Sequence, residues 1–535
     1  MTRHLAISVA LALSAAVALP APADAEMRVR LKDGRVLTLP VGPDDVESVT
    51  FGPDGKADGA AEQPAERAAR QIREDAERVR SAREAERRAR DAAKAAEDAA
   101  KRAAEAANAA RGQADAARAA REAAEKAARV APESAPSSVA APPKRASGEK
   151  HVPRTLSVGP GRTYAVPSEA AKAARDGDTV EIAAGTYTGD VALWRANGLT
   201  IRGVGGRAHM DAAGASYGGK AIWVIAGNDT VVENIEFSNC RVRDRNGAGI
   251  RLEGRNLTVR DSFFHDNQMG ILTGHRADSE VTIEGSEFAR NIVDYPRTKS
   301  LGHNIYIGRV KRFTLRNSYV HGAAWGHNVK SRARETRLLY NRIVDGRDGS
   351  SSYLVDIAEG GTAWLVGNVF EQGPASDNWA MISLSAERKG RADRFAIVNN
   401  TFVNARGNGV FVQSHSAGAA VLVNNILAGG GTPLKGPGSL RANLIARGIS
   451  GNGAAAAATG ALAGNFVADG PGFADVRAFD VRLTEGSPAR DRGVDPGEIH
   501  GFAVRPDFEY SHPVRRTARP RDDSPDIGAY EFPGK

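Results

Sequence analysis

Reactive side chains recur at one position of successive short, strand-like segments in the middle of the chain. Segments such as 304–307 and 328–331 align on their apolar residues, and alternate residues of a strand point to opposite faces. The third residue of each segment therefore predicts one outward-facing column. Its members are Trp223, Arg251, Leu272, Tyr306, Lys330, Asp356 and Ser383.

The centre of this column combines groups that could move a proton and bind an anion. Tyr306, Lys330 and Asp356 are predicted neighbours, and Arg332 follows Lys330 at the spacing that returns to the same face. Titratable and cationic groups that converge on one surface form a candidate catalytic site. The structural alternative for Lys330 and Asp356 is an ion pair between exposed side chains, which stabilises a fold by only about 0–1 kcal/mol.

Two histidines flank the same segments. His303 and His327 precede Asn304 and Asn328 in the repeated phrase Gly-His-Asn, and five of the eleven histidines fall within residues 265–327. They are candidates for proton transfer, and the alternative is that they cap strand starts by hydrogen bonding to the backbone. No third ligand stands beside them at a clear spacing, so they do not predict a metal site, and the metal ligands stay unknown.

The elements that carry these residues repeat along the chain. From residue 156, short apolar strands are followed by polar turns that contain asparagine. The anchoring asparagines are Asn317, Asn341, Asn368, Asn400 and Asn425, at steps of 24, 27, 32 and 25 residues. One such coil cannot bury its apolar side alone, but stacked coils share a continuous core. The pattern predicts an all-β solenoid, a parallel β-helix over residues 156–535.

Four segments precede this domain. An apolar run that ends in Ala-Asp-Ala predicts a signal peptide over residues 1–25, and hence a secreted or periplasmic protein with no transmembrane segment after cleavage. Alternation around Asp-Gly predicts a short β-hairpin segment over 26–55. Residues 60–131, rich in Ala, Arg and Glu, predict a long helix, either a bare spacer or a weak coiled coil suited to self-association or envelope contact. The Pro-rich stretch 132–155 is a linker.

Charge and cysteine content exclude several classes of site. The net charge is +8, but residues 65–129 supply half of the excess on a mixed-sign stretch without aromatic residues, so the charge does not indicate nucleic-acid binding. The single cysteine, Cys240, excludes an internal disulfide framework and a cysteine-based zinc site.

The repeat domain resembles a known group of proteins. Residues 170–187 resemble the cap helix and first strand of the secreted right-handed parallel β-helix proteins of the pectate-lyase-like superfamily. Residues 486–491 and 525–532 resemble a C-terminal signature of that group. The resemblance covers residues 156–535 and implies a right-handed parallel β-helix. Motifs of this kind specify the fold well and the function poorly.

A narrower resemblance concerns Lys330. The run 328–333, followed by 340–343, is similar to a strand and asparagine turn of the alginate lyase and chondroitinase B family, in which the lysine of the Lys-Ser pair is the base. The resemblance implies that role for Lys330. The arginine that the family carries on the next coil has no counterpart near Asp356, which leaves the acid role to Tyr306 or to one of the two histidines.

The lyase reaction assigns roles to the other candidates. It removes the proton α to a uronate carboxylate and expels the 4-linked oxygen, and a cation must neutralise the carboxylate for the carbanion to form. Arg332 is expected to lower the pKa of Lys330 toward that of a base. Arg251 or Arg332 is expected to hold the carboxylate, with Ca²⁺ as the alternative cation, and Trp223 is a further expected substrate contact.

Several functions stay open at this point. An epimerase would abstract the same proton and return one from the opposite side. A β-helix glycoside hydrolase would use two carboxylates, for which Asp356 and Glu359 are the candidates. A non-catalytic carbohydrate-binding or cell-envelope protein would use neither. A lyase or epimerase with an acidic polysaccharide as its partner is the leading hypothesis, because Tyr306, Lys330 and Arg332 are predicted to cluster.

Overall fold

The computed structural model describes residues 27–30, 36–39, 151–449, 460–462, 464–521 and 524–533. They belong to two units, residues 1–145 and residues 146–535. In the first unit, strands Met27–Arg30 and Val36–Leu39 pair antiparallel. The predicted signal peptide, long helix and most of the predicted linker lie outside the described residues. Among the residues described, no helix combines the length and the apolar character needed to cross a membrane.

The second unit is a parallel β-helix with three faces, here called face A, face B and face C. Successive coils contribute one strand to each face, and each strand pairs in parallel with its counterparts in the neighbouring coils. The strands of face A are Ala192–Trp194, Ala221–Ile225, Ala248–Leu252, Met269–Thr273, His303–Ile307, Val329–Ser331, Val355–Ile357, Ala380–Leu384, Val410–Ser414 and Thr432–Lys435.

Faces B and C belong to one sheet, because the long strand Thr200–Asp211 pairs along both of them. The other strands of face B are Thr155–Val158, Thr179–Thr186, Thr230–Glu233, Leu257–Arg260, Glu280–Glu284, Arg312–Arg316, Glu335–Leu339, Thr362–Val366, Arg394–Val398, Ala420–Val423 and Gly438–Arg441. The other strands of face C are Ile235–Ser238, Phe263–His265, Glu287–Ala289, Tyr319–His321, Arg342–Val344, Val369–Gln372, Thr401–Asn404, Ile426–Ala428, Leu444–Ala446 and Asn465–Ala468.

The remaining elements lie at the ends and on the outside of the solenoid. Helix Pro167–Ala173 begins with a proline, whose fixed φ suits the first helical turn, and it buries Ala170 in the core of the first coils. Two other short helical segments are Tyr295–Thr298 and the 3₁₀ turn Val476–Ala478. The antiparallel pairs are Gly460–Leu462 with Asn465–Ala468, Phe473–Asp475 with Asp480–Leu483, Glu498–Ile499 with Phe502–Ala503, and Phe508–Ser511 with Arg515–Ala518.

One core runs the length of the coils, because alternate residues of every strand point inward. Phe237, Phe264 and Phe288 stack on successive coils with ring centres 4.8 and 4.7 Å apart. Phe370 and Phe402 repeat this contact at 4.8 Å. These distances equal the spacing of neighbouring strands in a sheet, so equivalent side chains of successive coils are in van der Waals contact.

The C-terminal segment packs on the outside of faces B and C. Trp364 on face B contacts the ring of Phe502 and donates a hydrogen bond to the carbonyl oxygen of Ile499 at 2.8 Å. On face C, Ile426 packs with Ile527. This segment therefore covers faces B and C, whereas the predicted column lies on face A.

Buried polar side chains link the coils at two bends. Between faces B and C, the linked residues are Ser262, Ser286, Ser318, Asn341, Asn368, Asn400, Asn425, Asn443 and Asn465. Between faces C and A, they are Asn267, Asn291, Asn304, Asn328 and Asp345. Asn317, the first predicted anchor, is displaced by one residue. It adopts a left-handed φ of 51°, and Ser318 takes the ladder position instead.

The asparagine ladder is expected to be a major source of stability. The side-chain amide of Asn368 donates to Leu338 and Asn400 at 2.8 and 2.9 Å, and its oxygen accepts from Asn341. Asn368→Ala leaves these buried partners without a hydrogen bond. We expect it to lower the free energy of unfolding by about 2–4 kcal/mol. The exposed Asn408→Ala should change it by less than about 0.5 kcal/mol. Denaturant unfolding measures both, and equal effects would contradict a stabilising ladder.

Candidate active site on face A

Face A carries the predicted column of side chains. Strand pairing puts the following residues side by side on successive coils: Arg251, Leu272, Tyr306, Lys330, Asp356 and Ser383. The register predicted from the aligned segments is therefore confirmed from Arg251 to Ser383. Since neighbouring strands are about 4.8 Å apart, three adjacent coils bring Tyr306, Lys330 and Asp356 together.

The predicted first member of the column, Trp223, does not lie on the outer surface. Val224 pairs with Arg251, and Trp223 is fully buried with its ring packed edge-on against Phe237. All residues of strand Ala221–Ile225 are apolar and buried, so alternation along the strand could not show which of them point inward. The prediction that Trp223 contacts a substrate is wrong.

Lys330 is a buried cation. Its side chain is 11% exposed, and Nζ lies 2.8 Å from Oδ2 of Asp356 and 2.9 Å from Oε1 of Glu387. The Asp356 side chain is only 4% exposed. The predicted ion pair between Lys330 and Asp356 therefore forms, but the prediction that it is exposed to solvent is wrong. Glu387, from the loop after strand Ala380–Leu384, also contacts the ammonium and helps to keep water from it.

The surroundings of Lys330 favour its charged form. Burial by itself would lower the pKa of Lys330, but the carboxylates of Asp356 and Glu387 outweigh burial and raise this pKa. The expected lowering by Arg332 is wrong, because two carboxylates contact the ammonium directly. Lys330 is therefore an ammonium ion at neutral pH, which suits it to neutralise an anion and not to accept a proton.

Arg332 connects these ion pairs to Tyr306. Its guanidinium donates to the two oxygens of Glu387 at 2.7 and 2.6 Å and also donates a hydrogen bond to the phenol oxygen of Tyr306. The guanidinium carbon lies 5.0 Å from the centre of the Tyr306 ring, within the range of a cation–π contact. Tyr306 is half-buried. A fixed positive charge thus stands against a titratable oxygen at the outer side of the cluster.

Glu359 belongs to a second group of ion pairs beside the column. Its carboxylate accepts hydrogen bonds from Arg309 at 2.9 and 2.6 Å, and it lies 3.1 Å from Arg388 and 3.6 Å from Arg332. The hydrogen bonds from Arg309 hold the pKa of Glu359 below its usual value despite the opposing effect of burial. Glu359 is therefore an ionised carboxylate that orients guanidinium groups.

His303 and His327 stack beside the cluster as neutral imidazoles. Their ring centres are 4.9 Å apart, and both are buried. Nδ1 of His303 accepts a hydrogen bond from the backbone N–H of His327 at 2.9 Å, and Nδ1 of His327 accepts one from Tyr353 at 3.3 Å. Burial and nearby positive charges lower the pKa of both histidines well below its usual value. The structure thus contains the backbone hydrogen bonds of the capping alternative, and each ring carries its proton on Nε2.

Three members of the cluster could not be identified from the strand repeat: Glu387, Arg309 and Arg388. Arg309 follows strand His303–Ile307, and the other two follow strand Ala380–Leu384. Loop residues have no strand register, so aligning the strands gives them no position. For Glu387 and Arg388, the one signal in the sequence is the dense charge of residues 387–391.

The described cluster holds more positive than negative groups. Its cations are Lys330, Arg309, Arg332 and Arg388, and its carboxylates are Asp356, Glu359 and Glu387. Arg251 adds a further cation at the start of the column. The surface therefore attracts anions. Each carboxylate already contacts a lysine or an arginine, so this cluster does not fit the oxygen-rich ligand set that Ca²⁺ requires.

An exposed aromatic ring lies further along the same face. Trp379 precedes strand Ala380–Leu384 and is 46% exposed, and Nζ of Lys435 lies 4.5 Å from its ring centre. Lys435 continues the column, since it pairs with Gln413, which pairs with Ser383. An exposed ring beside a cation offers a stacking surface and a charge to an acidic sugar unit.

Comparison with known proteins agrees with the fold. Residues 187–370 match the family described as right handed beta helix region. No curated protein sequence matches the chain significantly. The family match confirms a right-handed parallel β-helix over residues 187–370, the fold that the sequence predicts.

Three solved structures are similar to parts of the chain. Pectate lyase Pel9A is 14% identical, with 71% of this chain and 97% of that chain covered and a TM-score of 0.49. The alginate lyase from Paenibacillus sp. str. FPU-7 is 15% identical, with 54% and 99% covered and a TM-score of 0.40. The GH136 lacto-N-biosidase from Eubacterium ramulus is 12% identical, with 54% and 67% covered and a TM-score of 0.35. Similarities this low assign no substrate or reaction to the chain.

Proposed function

We propose that the chain is an exported enzyme that acts on an acidic polysaccharide and cleaves it by β-elimination next to a uronate. The proposal depends on one observation. Tyr306, Arg332 and Lys330 adjoin one another on face A, in a cluster with an excess of positive charge. The predicted signal peptide, residues 1–25, supports export.

The uronate carboxylate has a defined place in this proposal. Glu387 bridges Lys330 and Arg332, and its side chain is 37% exposed, against 4% for Asp356 and 8% for Glu359. A substrate carboxylate that displaces Glu387 would receive the same two-pronged contact from Arg332 and the same charge from Lys330. Neutralising this carboxylate lowers the free energy of the carbanion that forms beside it.

Tyr306 is the group that moves the proton in this proposal. Its oxygen, as the phenolate, takes the proton from the carbon next to the carboxylate. A carbon–carbon double bond forms, the bond to the 4-linked oxygen breaks, and the phenol returns the proton to that oxygen. Arg332 contacts the phenol oxygen, so it stabilises the negative charge that alternates between Tyr306 and the substrate.

Lys330 supplies charge, not a base, in this proposal. The narrower sequence resemblance implies a base, but the ammonium contacts two carboxylates, and its pKa is raised. The buried, neutral His303 and His327 position the column, since their Nδ1 atoms are bonded to the backbone.

A glycoside hydrolase is the second candidate. Asp356 and Glu387 contact the same Nζ of Lys330 within 2.9 Å, so these oxygens lie less than twice that distance apart. Burial raises the pKa of Asp356. Burial also acts to raise the pKa of Glu387, but Arg332 and Lys330 outweigh it and lower this pKa. A carboxyl with a raised pKa beside one with a lowered pKa is the arrangement of a glycosidase. Asp356 and Glu387 replace the pair Asp356 and Glu359 that the sequence indicated.

A product assay separates these functions. The full chain is incubated with a panel of acidic polysaccharides, and both new reducing ends and the ultraviolet absorbance of unsaturated uronates are followed. A lyase produces both signals, and a hydrolase produces reducing ends alone. An epimerase inverts a sugar carbon without cleavage. Binding without any reaction would support a non-catalytic carbohydrate-binding or cell-envelope protein and contradict the proposal.

Trp379 provides a test of how the polymer lies on face A. If a sugar unit stacks on its exposed ring, Trp379→Ala should raise KM about 3–10-fold and leave kcat within about 2-fold, since a stacking contact contributes roughly 0.5–1.5 kcal/mol. Steady-state kinetics on a long polymer measure this effect. Tyr295→Ala, at another exposed aromatic residue, is the control. An unchanged KM for Trp379→Ala would exclude a sugar unit at this position.

A further inference from the structure

A second cluster of reactive side chains lies on face C, in coils that precede the candidate active site. Its members are His209, Glu236 and His265, on three successive strands. His209 pairs directly with Glu236, and His265 pairs with Ser238, two residues further along the strand of Glu236. Residues two apart in a strand point to the same side, so the three side chains converge outside the sheet.

The distances in this cluster match those around a metal ion. Oε1 of Glu236 lies 3.0 Å from Nε2 of His265 and 3.6 Å from Nε2 of His209. The three ligand atoms all lie within 4.8 Å of one another. Two ligands bonded to a tetrahedral Zn²⁺ at about 2.0–2.1 Å are separated by about 3.3 Å. One ion therefore fits between the three atoms with small side-chain adjustments.

The surroundings of His265 are those of a metal ligand. Nδ1 of His265 lies 2.7 Å from Oδ2 of Asp266, and Arg290 holds Asp266 through hydrogen bonds of 3.1 and 2.9 Å. The Phe263 ring stacks on His265, with ring centres 4.4 Å apart. A metal-binding histidine almost always donates its other N–H to such a carboxylate, which fixes the ring and aims the free nitrogen at the ion.

Both ring nitrogens of His265 face carboxylate oxygens. His265 has a carboxylate oxygen at each ring nitrogen, at 2.7 and 3.0 Å. When the N–H of a neutral imidazole is on Nδ1 and points to Asp266, Nε2 has a lone pair that faces Glu236. A metal ion between Nε2 and Glu236 would bond to both atoms. The hydroxyl of Ser238, 2.8 Å from Nε2 of His209, or a water molecule would complete four ligands.

We propose that His209, Glu236 and His265 bind one divalent transition-metal ion, with Zn²⁺ preferred over Ca²⁺, and that the ion joins three successive coils. Two imidazoles and one carboxylate are ligands that zinc accepts, whereas calcium takes oxygen ligands. The side chains of His209, Glu236 and His265 are 25%, 24% and 16% exposed, so an ion can reach them. This site is independent of the proposed reaction on face A.

The test starts from the metal-free full chain. Calorimetric titration and thermal melts measure its binding of zinc. We expect the wild-type protein to bind one more Zn²⁺ ion than His265→Ala and to melt at a higher temperature with zinc than without it. Glu236→Gln, close in shape to the native residue, should lose the same ion. Asp266→Asn should weaken binding about 10–100-fold. Ca²⁺ should give neither effect.

His321→Ala is the matched control. His321 also lies 3.0 Å from a glutamate, Glu287, on the same face, and the two side chains have a comparable exposure of 21% and 28%. Among the described residues, no second histidine completes a group of metal ligands with them. It should keep the wild-type zinc stoichiometry. Equal zinc binding by wild type, His265→Ala and Glu236→Gln, or loss of the ion in His321→Ala alone, would overturn the proposal. If His265→Ala does not fold, Glu236→Gln decides the result.

Discussion

Replacing Tyr306 by phenylalanine is expected to lower the turnover of an acidic polysaccharide about 10²–10⁴-fold, the contribution of a group that transfers a proton in the transition state. The change removes one oxygen from a half-buried side chain and leaves the ring in place beside Arg332. The free energy of unfolding should therefore change by less than about 1 kcal/mol. Initial rates and a thermal melt of the same preparation measure both effects.

Tyr319→Phe is the control for this experiment. Tyr319 is also half-buried, but it lies on face C, where it stacks on His321. Its loss should leave turnover within about 2-fold of the wild-type rate, as expected of a residue away from the reacting atoms. A Tyr306→Phe protein with normal turnover would exclude Tyr306 as the proton-transferring group, even if the enzyme proves to be a lyase.

Replacing Lys330 by methionine is expected to lower the free energy of unfolding by about 3–5 kcal/mol at neutral pH, because it leaves the buried carboxylate of Asp356 without its partner. If Lys330 were exposed, the expected loss would be less than about 1 kcal/mol. The control is Lys311→Met, which breaks the more exposed pair of Lys311 and Glu280 and should cost at most about 1 kcal/mol. Denaturant unfolding compares the two variants.

The loss in Lys330→Met should also depend on pH. Burial raises the pKa of Asp356 even with Lys330 present, and removing the ammonium raises this pKa further. At a pH between the pKa of Asp356 in the unfolded variant and its higher pKa in the folded variant, Asp356 is protonated in the folded variant and ionised in the unfolded chain. The stability of the variant therefore falls as pH rises through this window. The deficit relative to wild type should shrink in acid. A deficit that grows as pH falls would contradict this explanation.

The fold could be predicted because its cause is repeated along the sequence. Every coil must bury the same apolar positions, and the asparagines at one bend must meet those of the next coil. Asn341, Asn368 and Asn400 therefore mark the repeat, and the ladder contains all three. The prediction that Asn317 belongs to the ladder is wrong by one residue, because an asparagine in a left-handed turn looks the same in sequence as one in the ladder.

The members of the candidate site that lie on strands could be predicted from the strand alignment. Tyr306, Lys330 and Asp356 follow from the register, since pairing is fixed by the buried side of each strand. The register alone cannot show that Lys330 is buried, because that depends on Glu387 in a loop. The prediction for Trp223 is wrong because its strand is apolar on both sides, so the sequence pattern does not show which residues point inward.

The charge state of Lys330 could not be predicted from the sequence. Sequence spacing puts Arg332 near Lys330 and suggests a lowered pKa. In the folded chain, however, the pKa of Lys330 follows the carboxylates of Asp356 and Glu387, which contact its ammonium. Contacts between residues about 26 and 57 positions apart decide this outcome. The proposed base consequently changes from Lys330 to Tyr306.

The most direct test of the proposed function compares one polyuronate with the same polymer after chemical reduction of its carboxylates. The linkage and chain length are then matched, and only the negative charge differs. The proposal predicts that the full chain releases unsaturated uronate from the acidic polymer and no unsaturated product from the reduced one. Equal cleavage of both polymers, with reducing ends and no unsaturated product, would contradict β-elimination and would favour hydrolysis by Asp356 and Glu387.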